Sequence, residues 1–242
     1  MKSRPNVRIF ETSEQLAAAA AEHFVESSLA SIQDHNSFGV ALAGGTTPRE
    51  SYKLLATDRF QIRLDWSKIH LFFGDERMVA PDSPQSNYRM VHDALISRVP
   101  IPRANVHRIE GEAGAEESVE HYQAALRSYF GDVAWPRFDL VWLGMGDDGH
   151  TASLFPGDSH ANESSAWVVS TLSPDNQPRV SLTLPVINHA ARIDFLVSGK
   201  GKAERLAQVL GDASDKKLPA QKVAPVNGTL QWLVDRDAAA LL

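Results

Sequence analysis

The sequence predicts an α/β fold, and three observations carry that prediction. Short apolar runs alternate with segments of helical periodicity along the whole chain. Gly, Pro, Asn and Asp punctuate the alternation at short intervals. Four apolar runs, within FGVALAGGTTP, HLFFGDER, FDLVWLGMGDDGHTASLFP and DFLVSGKGKA, empty into glycine and polar residues. Open α/β sheets bind ligands beyond such carboxyl ends of strands. At about 150 residues per domain, the 242 residues allow one large domain or two small ones. The chain has no internal repeat, so one domain over 1–242 is expected, with a small subregion around 150–185.

Val7–Phe10 is expected as the first strand, followed by a helix that Ser13 caps and that runs through an alanine block to Leu29. Phe38–Ala43 is a compact strand entering Gly44-Gly45, and Pro48 suits the first turn of a helix toward Leu55. Ile69–Phe73 is another strand, ending in Gly74-Asp75-Glu76-Arg77. A polar loop from Val79 to Asn87 precedes a helix from Tyr88 to Leu95. Glu116–Phe130 has helical spacing, with Val119, Tyr122, Ala125, Leu126 and Tyr129 on one face. Phe138–Leu143 is the strongest signal for a buried strand. Trp167–Leu172 and Arg179–Leu184 are β-like, and Ile193–Val197 feeds Gly199–Lys202 and a helix to Leu210. Asp212–Ala224 is expected as a polar loop, and Leu230–Val234 as a strand closing the sheet.

Composition removes several classes of function. Lys plus Arg is 24 against 30 Asp plus Glu, so a net charge of −6 disfavours a nucleic-acid coat. With no cysteine there is no disulfide framework, thiol nucleophile or cysteine-ligated metal. The polar start Met1–Asn6 and the short block Ala17–Ala21 predict neither a signal core nor a membrane span, and a cytoplasmic location is expected.

The polar strand ends carry the chemistry. Gly44-Gly45-Thr46-Thr47 before Pro48 sets two glycines and two hydroxyls at a strand-to-helix turn, where N–H groups and the positive helix end can cradle a phosphate, the alternative being a plain tight turn. It is not a Walker A loop, because no lysine follows the second glycine. Gly199-Lys200-Gly201-Lys202 offers the same geometry with two ammonium groups. Gly144-Met145-Gly146-Asp147-Asp148-Gly149 spells G-x-G-x-x-G, but two aspartates in that loop would repel a pyrophosphate. An acid–base loop is the better reading, with Asp148 two positions before His150: a carboxylate beside an imidazole selects the tautomer that a general base needs. A metal site from Asp147, Asp148 and His150 lacks a second histidine at ligand spacing. Ser153 lies near His150, yet there is no G-x-S-x-G elbow for a serine hydrolase. Asp75-Glu76-Arg77 is either a surface ion cluster or part of the same site.

Taken in order, GGTTP, FFGDERMV with a downstream SNY, LGMGDDGHTASLFP, PRVSLTLPVI and SGKGKA resemble the 6-phosphogluconolactonase family over nearly the whole chain. The larger group includes glucosamine-6-phosphate deaminase. The resemblance implies a Rossmann-like three-layer sandwich with a mostly parallel central sheet, of the ribose-5-phosphate isomerase/deaminase type. It implies hydrolysis of 6-phospho-D-glucono-1,5-lactone with no metal or organic cofactor. It also implies that Gly44, Gly45, Thr46, Thr47, Arg179 and Lys202 hold the phosphate and that His150 is the base. Asp75, Arg77 and Asp148 would line the sugar end, with Asp148 or Asp75 orienting the imidazole. The deaminases carry a glutamate five residues after the histidine, where this chain has Phe155, which cannot move protons. A deaminase and a non-catalytic sugar-phosphate sensor remain as alternatives. The expected partner is a small sugar-phosphate lactone, not nucleic acid or membrane, and the chain is expected to be a monomer or weak homodimer.

Overall fold

The computed structural model describes residues 6–211 and 218–242. Most of the polar start and residues 212–217 of the expected Asp212–Ala224 loop lie outside the described residues. The described elements, in order, are β1 (Val7–Phe10), α1 (Ser13–His35), β2 (Phe38–Leu42), α2 (Thr46–Leu55), α3 (Asp58–Gln61), β3 (Ile69–Phe73), β4 (Asp75–Arg77) and α4 (Asn87–Ala94). They continue with α5 (Ala115–Phe130), β5 (Leu140–Leu143), β6 (Val168–Leu172), β7 (Pro178–Leu182), α6 (Leu184–Asn188), β8 (Arg192–Val197), α7 (Ala203–Leu210) and β9 (Thr229–Asp235).

Six strands form a central sheet in the order β1, β9, β8, β5, β2, β3, and every neighbouring pair is parallel. Helices flank this sheet, so β2 and β5 are buried along their whole length, which explains their unbroken apolar sequence. The core is tight and aromatic: Phe24 of α1 meets Phe38 edge-on at 5.2 Å and Trp142 at 5.7 Å, and Phe195 stacks on Trp232 at 3.8 Å. Each such buried apolar side chain contributes about 1.5–3 kcal/mol.

β4, β7 and β6 form a second, antiparallel sheet. Gly74 joins the two sheets: its N–H donates to Leu42 O and its carbonyl accepts from Leu182 N, both at 2.9 Å.

Several expectations are corrected. The N-cap of α1 is Thr12, whose hydroxyl accepts from Gln15 N at 3.3 Å, and Ser13 is the first helical residue. The helix runs to His35 rather than Leu29, where Asn36 takes the left-handed conformation and donates to Ile32 O. Its last turns are largely exposed, so no apolar pattern marks them. β9 does not close the sheet but inserts between β1 and β8. The reason is burial: Trp232, Leu233 and Val234 are all covered, which requires neighbours on both sides, whereas β1 exposes Arg8 and Ile9 as an edge can. Asp75–Arg77 is itself a strand, and the β-like run from Arg179 ends at Leu182 and passes into α6.

Candidate active site

A cleft of about 340 Å³ opens where β2, β3, β5 and β8 end. Gly44, Gly45, Thr46, Thr47, Asp75, Arg77, His150, Arg179 and Lys202 line it, and Asp148 stands behind His150 without lining it. Residues far apart in the chain thus meet because parallel strands deliver their following loops to one edge.

The double-glycine turn is shaped by two constraints. Gly45 has φ +101° and precedes α2 with no side chain capping the helix, so the first-turn N–H groups are free of a side-chain cap. At Gly44 a Cβ would stand 2.1 Å from Asn87 Oδ1, so only glycine lets Asn87 sit against the turn. Thr47 Oγ1 is 2.7 Å from Ser198 Oγ, which ties this loop to the one after β8. That second loop is fixed at Gly199, φ +94°, whose N–H donates to the Asp235 carboxylate at 3.0 Å.

Arg77 and Arg179 stand directly opposite each other in the β4–β7 ladder. Like charges in such positions repel. Both Nε atoms are buried with no hydrogen-bond partner among the described residues, and Arg77 Nη1 donates to Gln85 O. Burial, and then the neighbouring Arg77 charge, push the Arg179 guanidinium below its ordinary pKa. Two half-buried guanidiniums opposite each other in a ladder are an arrangement that a bound dianion would relieve. Lys202 enters from the 3-10 turn Lys200–Lys202, and its Nζ meets Asp147 Oδ1 at 2.5 Å. That ammonium holds the Asp147 carboxyl below the usual carboxylate range.

The imidazole end is built from the glycine loop after β5. Gly146 N donates to His150 O at 2.9 Å and Gly149, φ +85°, closes a turn through its bond to Gly146 O at 3.0 Å. Asp148 Oδ1 lies 2.6 Å from His150 Nδ1 and accepts from His150 N at 3.0 Å. An ionised Asp148 therefore places the ring proton on Nδ1 and leaves Nε2 as a lone-pair acceptor. A Cβ on Gly146 would stand 2.1 Å from His150 Nδ1, so the ring occupies the space a side chain would need. Phe155 packs against the imidazole with centroids 4.7 Å apart.

Of the two carboxylates proposed to orient the ring, Asp148 touches it; Asp75 is engaged elsewhere. Asp75 Oδ2 accepts from Ser153 Oγ at 2.6 Å and Oδ1 from Asn87 Nδ2 at 3.3 Å. Ser153 is fully buried, with its proton directed to Asp75. Glu76 points the other way and accepts from Ser86 Oγ and from Asn87 N and Tyr88 N, both at 2.8 Å, so it fixes the start of α4. Burial pushes its carboxyl up despite those donors. Asn87 and Ser198 also line the cleft, and Ser153, which does not line it, holds Asp75; sequence reasoning does not single out these three as site residues. The Ser-Asn-Tyr signal was present in the sequence, but only the fold shows Asn87 on Gly44.

Fold and cleft together define a class: an open parallel α/β protein with a cationic pocket and an imidazole–carboxylate pair at the carboxyl edge of its sheet. The family model described as glucosamine-6-phosphate isomerases/6-phosphogluconolactonase matches residues 11–232, and the chain belongs to that family. A 6-phosphogluconolactonase of Aggregatibacter actinomycetemcomitans is 36% identical over 238 residues, covering 98% of this chain and 100% of the relative. A 6-phosphogluconolactonase structure from Trypanosoma brucei superposes with TM-score 0.88 at 30% identity, covering 98% of each chain. A monomeric glucosamine-6-phosphate deaminase gives TM-score 0.81 at 23% identity, covering 98% of this chain and all of the other, a likeness of fold alone.

Proposed function

We propose that this chain hydrolyses 6-phospho-D-glucono-1,5-lactone to 6-phospho-D-gluconate, the second step of the oxidative pentose phosphate pathway. The observation that carries the reading is that one sugar-sized cleft holds both the opposed Arg77–Arg179 pair beside the Gly44-Gly45 turn and the Asp148–His150 pair. The turn N–H groups, Thr46, Thr47, Arg179 and Lys202 hold the 6-phosphate, and Arg77, expected at the sugar end, joins the grip instead because it stands across the ladder from Arg179. Lys202 exchanges Asp147 for the phosphate on binding. Anchoring one end of the substrate presents the lactone carbonyl to water beside His150 and removes much of the entropic barrier.

His150 Nε2 takes a proton from water as the water oxygen bonds to the carbonyl carbon. The tetrahedral intermediate then expels the ring oxygen, which receives that proton from His150 and becomes the C5 hydroxyl. Asp148 positions the imidazole and stabilises its protonated form. Asp75, held by Ser153 and Asn87, lines the sugar end. Phe155 at the imidazole offers no group for the proton transfers of a deaminase. A sensor would need the cationic pocket but not the carboxylate-set imidazole. Every group in this reading comes from one chain, so a monomer or weak homodimer suffices, and a cytoplasmic setting suits a chain with no cysteine.

The test is lactone consumption followed above its spontaneous rate. The purified chain should accelerate it, and a rate equal to background would overturn the reading. Arg179→Ala and Lys202→Ala should raise KM about tenfold or more with a smaller change in kcat, as loss of a charged hydrogen bond implies.

A further inference from the structure

We propose a second anion site in the groove between α2 and α4, built to take a small phosphorylated metabolite. The groove has a volume of about 390 Å³ and shares no lining residue with the candidate active site. Arg49 and Lys53 stand four residues apart on α2 and therefore on one face of it. Arg89 faces them from α4, and Arg98 reaches in from the 3-10 turn Ile96–Arg98 that follows. Four cations thus converge on a molecule whose net charge is −6, with Asp93 as the one carboxylate of the lining.

The local carboxylates consume only part of this charge. Glu50 holds Lys53 with both carboxylate oxygens, at 2.9 and 3.1 Å, and touches Arg49 only through Nε at 3.4 Å, so Lys53 is largely neutralised and the arginines carry the free charge. Asp93 lies 3.6 Å from Arg89 Nε, and Arg89 Nη1 donates to Asp82 O at 2.6 Å. Arg98 Nε donates to Asp93 O at 2.8 Å, which fixes the guanidinium plane at the end of α4. Among the described residues, the terminal nitrogens of Arg49 and Arg98 have no partner. Two guanidinium forks with free Nη donors on opposite walls suit phosphate, which accepts such donors in pairs. The volume falls in the range of small-ligand pockets, about 300–1,000 Å³, and Met90 and Ala94 add apolar lining for a sugar or base. A concave site of this size favours a small ligand over an acidic protein, which would need a broad face of roughly 800 Å².

The site stands whether or not the proposed reaction is correct, because it uses none of the same residues. The test is calorimetric titration of the full chain with inorganic pyrophosphate at low salt. Two sites per chain are expected in the wild type. Arg49→Gln/Arg98→Gln should lose one and keep the other, Arg179→Ala/Lys202→Ala should lose the other, and the combined variant should bind none. Arg49→Gln alone changes an exposed side chain and should weaken the second site about tenfold with an unchanged thermal midpoint. A single site abolished by Arg179→Ala/Lys202→Ala, or affinity indifferent to Arg49→Gln/Arg98→Gln, overturns the proposal. Tighter binding of a hexaglutamate peptide than of pyrophosphate at the same residues overturns the choice of a small ligand.

Discussion

His150 and Asp148 divide one task between them. His150→Ala removes the group proposed to take the proton and should lower kcat by about 10²- to 10⁴-fold, while binding of a phosphate ester persists. Asp148→Asn keeps the shape but presents an amide where Nδ1–H needs an acceptor, so turnover should fall about 10- to 100-fold as the ring loses its fixed tautomer. Asp75→Asn, whose partners are Ser153 and Asn87 rather than the ring, should not reproduce that fall. If Asp75→Asn alone produced it, the roles would be reversed. At this scale the sequence was informative where spacing is local, since a carboxylate two positions before an imidazole, freed by Gly149, reaches it directly. It left Asp75 and Asp148 indistinguishable because the partners of Asp75 lie 78 and 12 residues away, at Ser153 and Asn87.

The elements explain why glycines appear at the strand ends. Gly146 is needed because the imidazole fills its side-chain space, not for a left-handed backbone: a Cβ would lie 2.1 Å from Nδ1. Gly146→Ala should therefore move the ring and cost activity at least tenfold, while the fold, whose core takes only Met145 from this loop, keeps its thermal midpoint within a few degrees. Wild-type kcat in that variant would show that the ring position is unimportant. Strands read well from sequence wherever both faces are buried, as in β2, β3, β5 and β8. β4 did not, because its three residues are two acids and an arginine, held as a strand by pairing with β7 rather than by apolar character. The same pairing sets Arg77 against Arg179, so the cationic end of the cleft was legible only as scattered arginines.

At the scale of the molecule, we propose that both sheets unfold as one unit. The candidate site draws Asp75, Arg77 and Arg179 from the antiparallel sheet and its remaining groups from loops of the parallel one, and a single hydrophobic cluster contains Val180 and Leu182 together with Val141 and Phe195. Loss of activity and loss of far-UV ellipticity in urea should therefore coincide; inactivation at lower urea would mean that the small sheet opens alone. The transition should depend on pH through the His70–His107 pair, whose ring nitrogens lie 3.1 Å apart. Burial, and then the His70 charge, push His107 down to about 4, and burial also lowers His70. Between the ordinary histidine value near 6.5 and about 4, the unfolded chain binds more protons, so this pair's contribution to stability falls as pH falls through that window. Burial raises the carboxyls of Glu76 and Asp139, and these act in the opposite direction. A difference measurement separates the two. His107→Phe keeps a ring against Phe72, where the centroids are 4.3 Å apart, but cannot titrate. The wild type should lose more stability than His107→Phe between pH 7 and pH 5, and equal losses would show that this histidine takes no part in acid unfolding.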